Sequence, residues 1–132
     1  MRYSMDKVFV DASVFVALSN ERDVHHKKAL QMIKENLSSA ITSDHVFDEV
    51  LSVVARKVNR EKAIEIGKHI LQAEIVVART NEQVFQKAWQ LFQKEALSFT
   101  DCTIIELMNT AGMKKIATFD KGFENKGLEI MR

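Results

Sequence analysis

The sequence contains no proline, four glycines and one cysteine among 132 residues. With no proline-rich, glycine-rich or serine-rich stretch there is no candidate linker, and one domain over residues 1–132 is expected. The lone cysteine, Cys102, excludes an internal disulfide framework and any multi-cysteine zinc site, and suits a reducing cytoplasm. No apolar run approaches the roughly 18 residues of a membrane span, so no membrane association is expected. The opening "MRYSMDKVFVDAS" has no apolar segment followed by a small-residue cleavage site, so no signal peptide is expected. Met5 competes with Met1 as the start. Excess charge is absent too: the formal net charge is +1, and a nucleic acid would have to be held by a local basic face.

What is present is an alternation of short β-like runs with longer helical patterns. "KVFVDA" reads as a first strand, with a short helix from Ser13 to Leu18. "DVHHKKALQMIKENL" follows as a helix with Val24, Leu30, Ile33 and Leu37 as its apolar positions. "AITS" is a second strand, followed by helices "HVFDEVLSVVARKV" and "REKAIEIGKHILQ", the latter with Ile64, Ile66, Ile70 and Leu71 as its apolar positions. "EIVVA" is a third strand. "NEQVFQKAWQLFQKEA" is an amphipathic helix with Asn81 as N-cap and Val84, Phe85, Ala88, Trp89, Leu91 and Phe92 as its stripe, whose Phe85, Trp89 and Phe92 are read as core. "TDCTIIELMNTAG" is a helix ended by Gly112, "KKIATF" a fourth strand and "LEIMR" a short fifth. This alternation predicts a three-layer α/β/α sandwich with a parallel sheet of four or five strands.

In "KVFVDASVFVAL" an apolar run is broken by one carboxylate, Asp11. Inside a buried strand it would be costly to desolvate. Just past the carboxyl end of that strand it would sit where open α/β sheets bind ligands. Asp120 ends the fourth strand, Asp101 opens the helix leading into it, and Glu49 lies early in the helix after the second strand. Parallel strands end on one edge, so these four acids are expected to converge. Two carboxylates about 5 Å apart repel by roughly 3 kcal/mol at an effective dielectric of about 20. Four need protons or a cation, and all-oxygen ligands suit Mg2+ or Mn2+. Each acid also has a plainer reading: Asp101 with Thr100 as a helix start, Asp120 as a turn residue, and Glu49 as a solvated boundary residue.

The segments "VFVDASVFVAL", "ITSDHVFDEVL", "LSFTDCTIIE" and "IATFDKGF" resemble, in order and spacing, those of PIN domains, most of all the VapC-type ribonuclease toxins. The resemblance implies a metal-dependent endoribonuclease in which Asp11, Glu49, Asp101 and Asp120 bind Mg2+ or Mn2+ and carry catalysis. A water, deprotonated by bulk base or by Asp101, would attack the phosphodiester in line. It also implies an RNA substrate, an antitoxin protein partner and a homodimer. Ser13 matches a hydroxyl-bearing position near the metal site; its plainer reading is a helix cap. Thr118 is a second polar support or a strand residue. Asp44 and Asp48 flank Glu49, and Glu49 fits the acidic position. Gly122 departs from the polar or acidic residue of many relatives, at no expected metal ligand.

The densest basic patch is Arg56, Lys57, Arg60, Lys62 and Lys68, of which Arg56, Lys57 and Arg60 are candidate RNA contacts. Adjacent His25 and His26 point different ways on a helix, so a solvated helix start fits them better than a shared metal. Cys102 lacks a sequence-evident base and reads as a small buried residue. Two other classes compete with a nuclease. A non-catalytic RNA- or protein-binding module could share the fold. A haloacid-dehalogenase-like phosphatase wants an aspartate where Ser13 stands, and a receiver domain wants one ending the third strand, which "EIVVARTN" lacks.

Overall fold

The structure is a computed structural model and describes residues 6–132; the choice between Met1 and Met5 lies outside the described residues. The elements, in chain order, are β1 (Val8–Val10), α1 (Ala12–Ser19), α2 (His26–Asn36), β2 (Ala40–Ser43), α3 (Asp44–Lys57), α4 (Arg60–Gln72), β3 (Val76–Ala78), α5 (Glu82–Phe92), α6 (Phe99–Ala111), β4 (Lys115–Ala117) and β5 (Glu129–Met131). The five strands form one sheet in the order β3-β2-β1-β4-β5. Every neighbouring pair is parallel, with Phe9 opposite Ile41 on one side and Ile116 on the other. The sheet is flanked by the helices, which gives the expected three-layer α/β/α architecture with five strands.

Strands β1 and β2 are short but wholly buried, and Phe9, Ile41 and Ile116 of β4 lie deep in the core. Burial on both faces is why β1 reads as an unbroken apolar run. Fully burying such a side chain contributes roughly 1.5–3 kcal/mol. Side chains fix the helix starts: Ser43, Asn59, Asn81 and Ser98 each accept a hydrogen bond from the backbone N–H three residues on. A cap of this kind is worth about 1 kcal/mol. Gly112 closes α6 in the left-handed conformation, φ 74°. Helix α1 packs against α2, α3 and α4, while α5 pairs with α6. Cys102 is fully buried among the residues of α6, as its sequence context suggests.

Three readings of apolar faces are corrected. In α2 the core takes Ala29 and Met32, while Leu30 is exposed, and Val24, 91% exposed, precedes the helix. In α4 Ala63, Ile66 and Ile70 are buried, whereas Ile64 and Leu71 face outward. In α5 Val84 and Ala88 of the expected stripe are the buried residues. Phe85, Trp89 and Phe92, expected inside, are exposed, Trp89 by 50%. These aromatics pack on one another and on Phe99 at ring-centroid distances of 5.3–6.1 Å. Small residues let the helix approach its neighbours, and the large rings are left at the rim.

Candidate functional site

The sheet order places the site. From β1 the chain goes to β2 and β3 on one side, then to β4 and β5 on the other. The carboxyl ends of β1 and β4 therefore flank a topological switch point, where open α/β sheets leave a crevice. Asp11 stands there. Its backbone N–H bonds the Ala117 carbonyl at 3.0 Å, continuing the ladder with β4 one residue past the strand.

The Asp11 side chain is buried, with 3% of the residue exposed. Burial raises its pKa, against which hydrogen bonds from Thr118 and Ser13 work. Thr118 Oγ1 donates to Asp11 Oδ2 at 2.8 Å and Ser13 Oγ donates to the same atom at 2.9 Å. In turn Thr118 Oγ1 accepts from the Asp120 N–H at 2.9 Å, and Ser13 Oγ from the Phe119 N–H at 3.0 Å. Each hydroxyl has one proton, already given to Asp11. The 3.3 Å approach of the two hydroxyls is therefore a contact with no proton left to share. Both supports expected around the acids, Ser13 and Thr118, thus fix Asp11 and the backbone that carries Asp120.

Glu49, Asp101 and Asp120 line the same cleft as Asp11, a space of about 430 Å³. Glu49 comes from α3, well inside the helix. Asp101 is the third residue of α6, its N–H bonded to Ser98 Oγ at 3.1 Å, so Ser98 rather than Thr100 or Asp101 caps the helix. Asp120 accepts from the Gly122 N–H at 2.8 Å, which anchors a short 3-10 turn at Lys121–Phe123. The acids feel one another. Burial, followed by the charges of Asp11 and Asp120, pushes Asp101 up to about 7. Glu49 is raised by burial and then by Asp11, Asp120 and Asp48. Asp48 itself is exposed. Asp44 is elsewhere: it accepts from the N–H and the Oγ1 of Thr80, the latter at 2.8 Å. Burial opposes charge on Asp44, but these bonds and that of the His45 N–H outweigh it, and its pKa falls.

Of the candidate RNA contacts, Lys57 lines the acid cleft; Arg56 and Arg60 are exposed and not among its lining residues. Lys62 pairs with Glu65. The cleft also holds Asp23, His25, Ser98 and Phe119, none of which the sequence placed at the site; His25 was expected only as part of a solvated helix start. The imidazole of His25 lies face to face with Phe119, centroids 4.3 Å apart and planes 8° from parallel. His26 Nδ1 is 2.9 Å from the Ala17 carbonyl, so the two neighbouring histidines do diverge.

The donor set fits a hard divalent cation: four carboxylates on one cleft, two of them driven toward protonation by burial and then by the charge of the others. Among the described residues, no three Asp, Glu, His or Cys side chains already stand close enough to form a finished metal cage. Pooled negative charge together with donor chemistry, and not a closed coordination shell, therefore carries the fit.

Residues 8–128 match the PIN domain family, nearly the whole described chain. The chain is 25% identical over 128 residues to the 23S rRNA-specific endonuclease VapC20 of Mycobacterium tuberculosis (strain ATCC 25618 / H37Rv), covering 95% of this chain and 98% of that one. It is 28% identical over 131 residues to Ribonuclease VapC1 of Aquifex aeolicus (strain VF5), covering 96% and 90%. Among solved structures, the sarcin-ricin loop cleaving toxin VapC20 of Mycobacterium tuberculosis superposes with a TM-score of 0.87 at 24% identity, over 93% of this chain and 97% of that one. DNA-bound VapBC from Salmonella typhimurium superposes with a TM-score of 0.72 at 15% identity, over 95% and 96%. A parallel sheet in this order, an acidic cleft at its switch point and a family match over nearly the full length agree: the chain belongs to the PIN domain family.

Proposed function

We propose that the protein is a metal-dependent endoribonuclease and the toxin of a toxin–antitoxin pair, acting in the cytoplasm. The observation that carries this reading is the convergence of Asp11, Glu49, Asp101 and Asp120 on one cleft at the β1/β4 switch point. Its relatives named as ribonucleases cover nearly the same span.

Asp11, Glu49, Asp101 and Asp120 would hold Mg2+ or Mn2+. Such a cation supplies positive charge to the phosphoryl group and acidifies a nearby water. The remaining roles belong to the chain. Ser13 and Thr118 fix the Asp11 carboxylate in one orientation. Asp101, on the cleft wall, or bulk base can take a proton from the attacking water. Lys57, at the cleft wall, meets a phosphate of the RNA, with Arg56 and Arg60 further along the strand. The exposed Phe85, Trp89 and Phe92 face supports a homodimer, and an antitoxin protein is the second partner.

The test is cleavage of a labelled RNA by the purified chain in Mn2+ or Mg2+. Activity should vanish in EDTA, return with metal, and fall at least about a hundredfold in Asp11→Asn. Unchanged cleavage in Asp11→Asn would favour the competing reading, a PIN module that binds without catalysis.

A further inference from the structure

The acid cleft does not end at the acids. His25 and Phe119 form its far wall and are shared with a second hollow of about 400 Å³, into which Lys28, Lys121 and Arg132 project. Arg132 is paired with Glu124. Among the described residues, Lys28 and Lys121 enter no ion pair, and both are exposed. The stacked rings therefore stand between an anionic centre and a cationic trough.

His25 has little structural reason to be an aromatic ring at this place. Its N–H is held by Asp23 Oδ1 at 2.8 Å, so the entry to α2 is set by the backbone and not by the imidazole. The residue is exposed, with one ring face covered by Phe119. Phe119 is in turn tied to the acids: its N–H is held by Ser13 Oγ, which is bonded to Asp11. The pair is thus an aromatic plate at a fixed distance from the carboxylates. An exposed π-face beside unpaired lysines is what single-stranded nucleic acid uses, with bases on the ring and phosphates on the cations.

The geometry points to a base-stacking subsite for single-stranded RNA, in which a nucleotide next to the scissile phosphate stacks on His25, backed by Phe119, while Lys28 and Lys121 hold the backbone as it leaves the cleft. This rests on the ribonuclease reading above. His25 is a positioning residue: it aligns the strand and takes no proton.

The test uses the full chain and a fluorescent single-stranded RNA, with affinity measured in the cleavage-dead Asp11→Asn background and kinetics in the otherwise native chain. His25→Ala should raise Kd and KM by between roughly 5- and 150-fold, with kcat much less affected, and His25→Phe should restore most of the loss. Lys28→Ala and Lys121→Ala should each lower the slope of log affinity against log salt by about 0.7. Melting temperature should stay within about a degree for His25→Ala, an exposed substitution. Unchanged Kd and KM in His25→Ala, or no rescue by His25→Phe, overturns the subsite while leaving the ribonuclease reading intact. A fall in melting temperature that tracks the lost affinity overturns it in favour of a structural stack. A native chain that neither binds nor cleaves RNA overturns both readings.

Discussion

Asp44 and Asp101 are the same residue in the same kind of place. Each lies in the first turn of a helix capped by a serine, Ser43 or Ser98. A helix start favours negative charge at both. Yet Asp44 is held below its ordinary pKa and Asp101 is pushed up to about 7. The difference lies in what each carboxylate faces. Asp44 faces donors, the Thr80 N–H and hydroxyl, and ties α3 to the segment after β3. Asp101 faces other acids across a partly dry cleft. One is an acid spent on holding the fold. The other is kept short of compensation and so remains open to a proton, a cation or a substrate.

Exchanging the two charges separately breaks the comparison most sharply. Asp101→Asn should lower RNA cleavage by roughly 10²–10⁴-fold, the range for loss of a proton-transferring group. Asp44→Asn in the same assay should leave the rate within about threefold, as expected for a residue outside the cleft. Equal losses would show that the division into reactive and structural acids is mistaken.

Stability should reverse the ranking. Asp44→Ala strips Thr80 of its acceptor and should cost roughly 1–3 kcal/mol in chemical denaturation. Asp101→Asn, in chelator, should be neutral or stabilising, because it removes a charge that the folded cleft disfavours. A stabilised Asp44→Ala chain would contradict the hydrogen-bond account.

The smallest effect is in the pH profile, and there the two acids slope in opposite directions. The folded chain holds the Asp101 proton up to about pH 7, against 3.8 for the free group. The folded state thus binds more protons over that window, and metal-free stability should decline from about pH 4 to about 7. Asp44, with a lowered pKa, contributes stability that is present above about pH 4 and lost on acidification. Melting curves in EDTA should show the neutral-side decline shrink in Asp101→Asn and the acid-side loss shrink in Asp44→Ala. Added Mn2+ should flatten the neutral side, since a cation bound to the native acids stabilises the fold. A neutral-side slope that survives Asp101→Asn would place its origin in another group.

The four acids were legible because a strand–helix alternation leaves little freedom. Once the sheet is parallel, Asp11 and Asp120 must end on one edge, and a helix entering β4 must begin there with Asp101. Glu49 over Asp44 and Asp48 was not decided by periodicity and came from the family resemblance; in the fold, Asp44 is turned to Thr80 and Asp48 to solvent. The faces of α2 and α5 were misread for one reason. Pattern counting ranks Leu30 above Ala29 and puts Trp89 in one stripe with Ala88, but close helix packing selects the small residue. The His25–Phe119 plate carried no signal at all, because stacking between distant segments depends on a tertiary approach that neither segment encodes alone.

The tie between Asp11 and Thr118 spans 107 positions of the chain. A polypeptide still emerging from its ribosome therefore has the first acid early but the Thr118 hydroxyl, and Asp120 behind it, only after 107 further residues or more. Until then Asp11 has the Ser13 hydroxyl beside it but not the second donor, Thr118. The four acids can share one cleft only after Asp120 has been made, so the order of translation acts as a timer on the cleft's assembly.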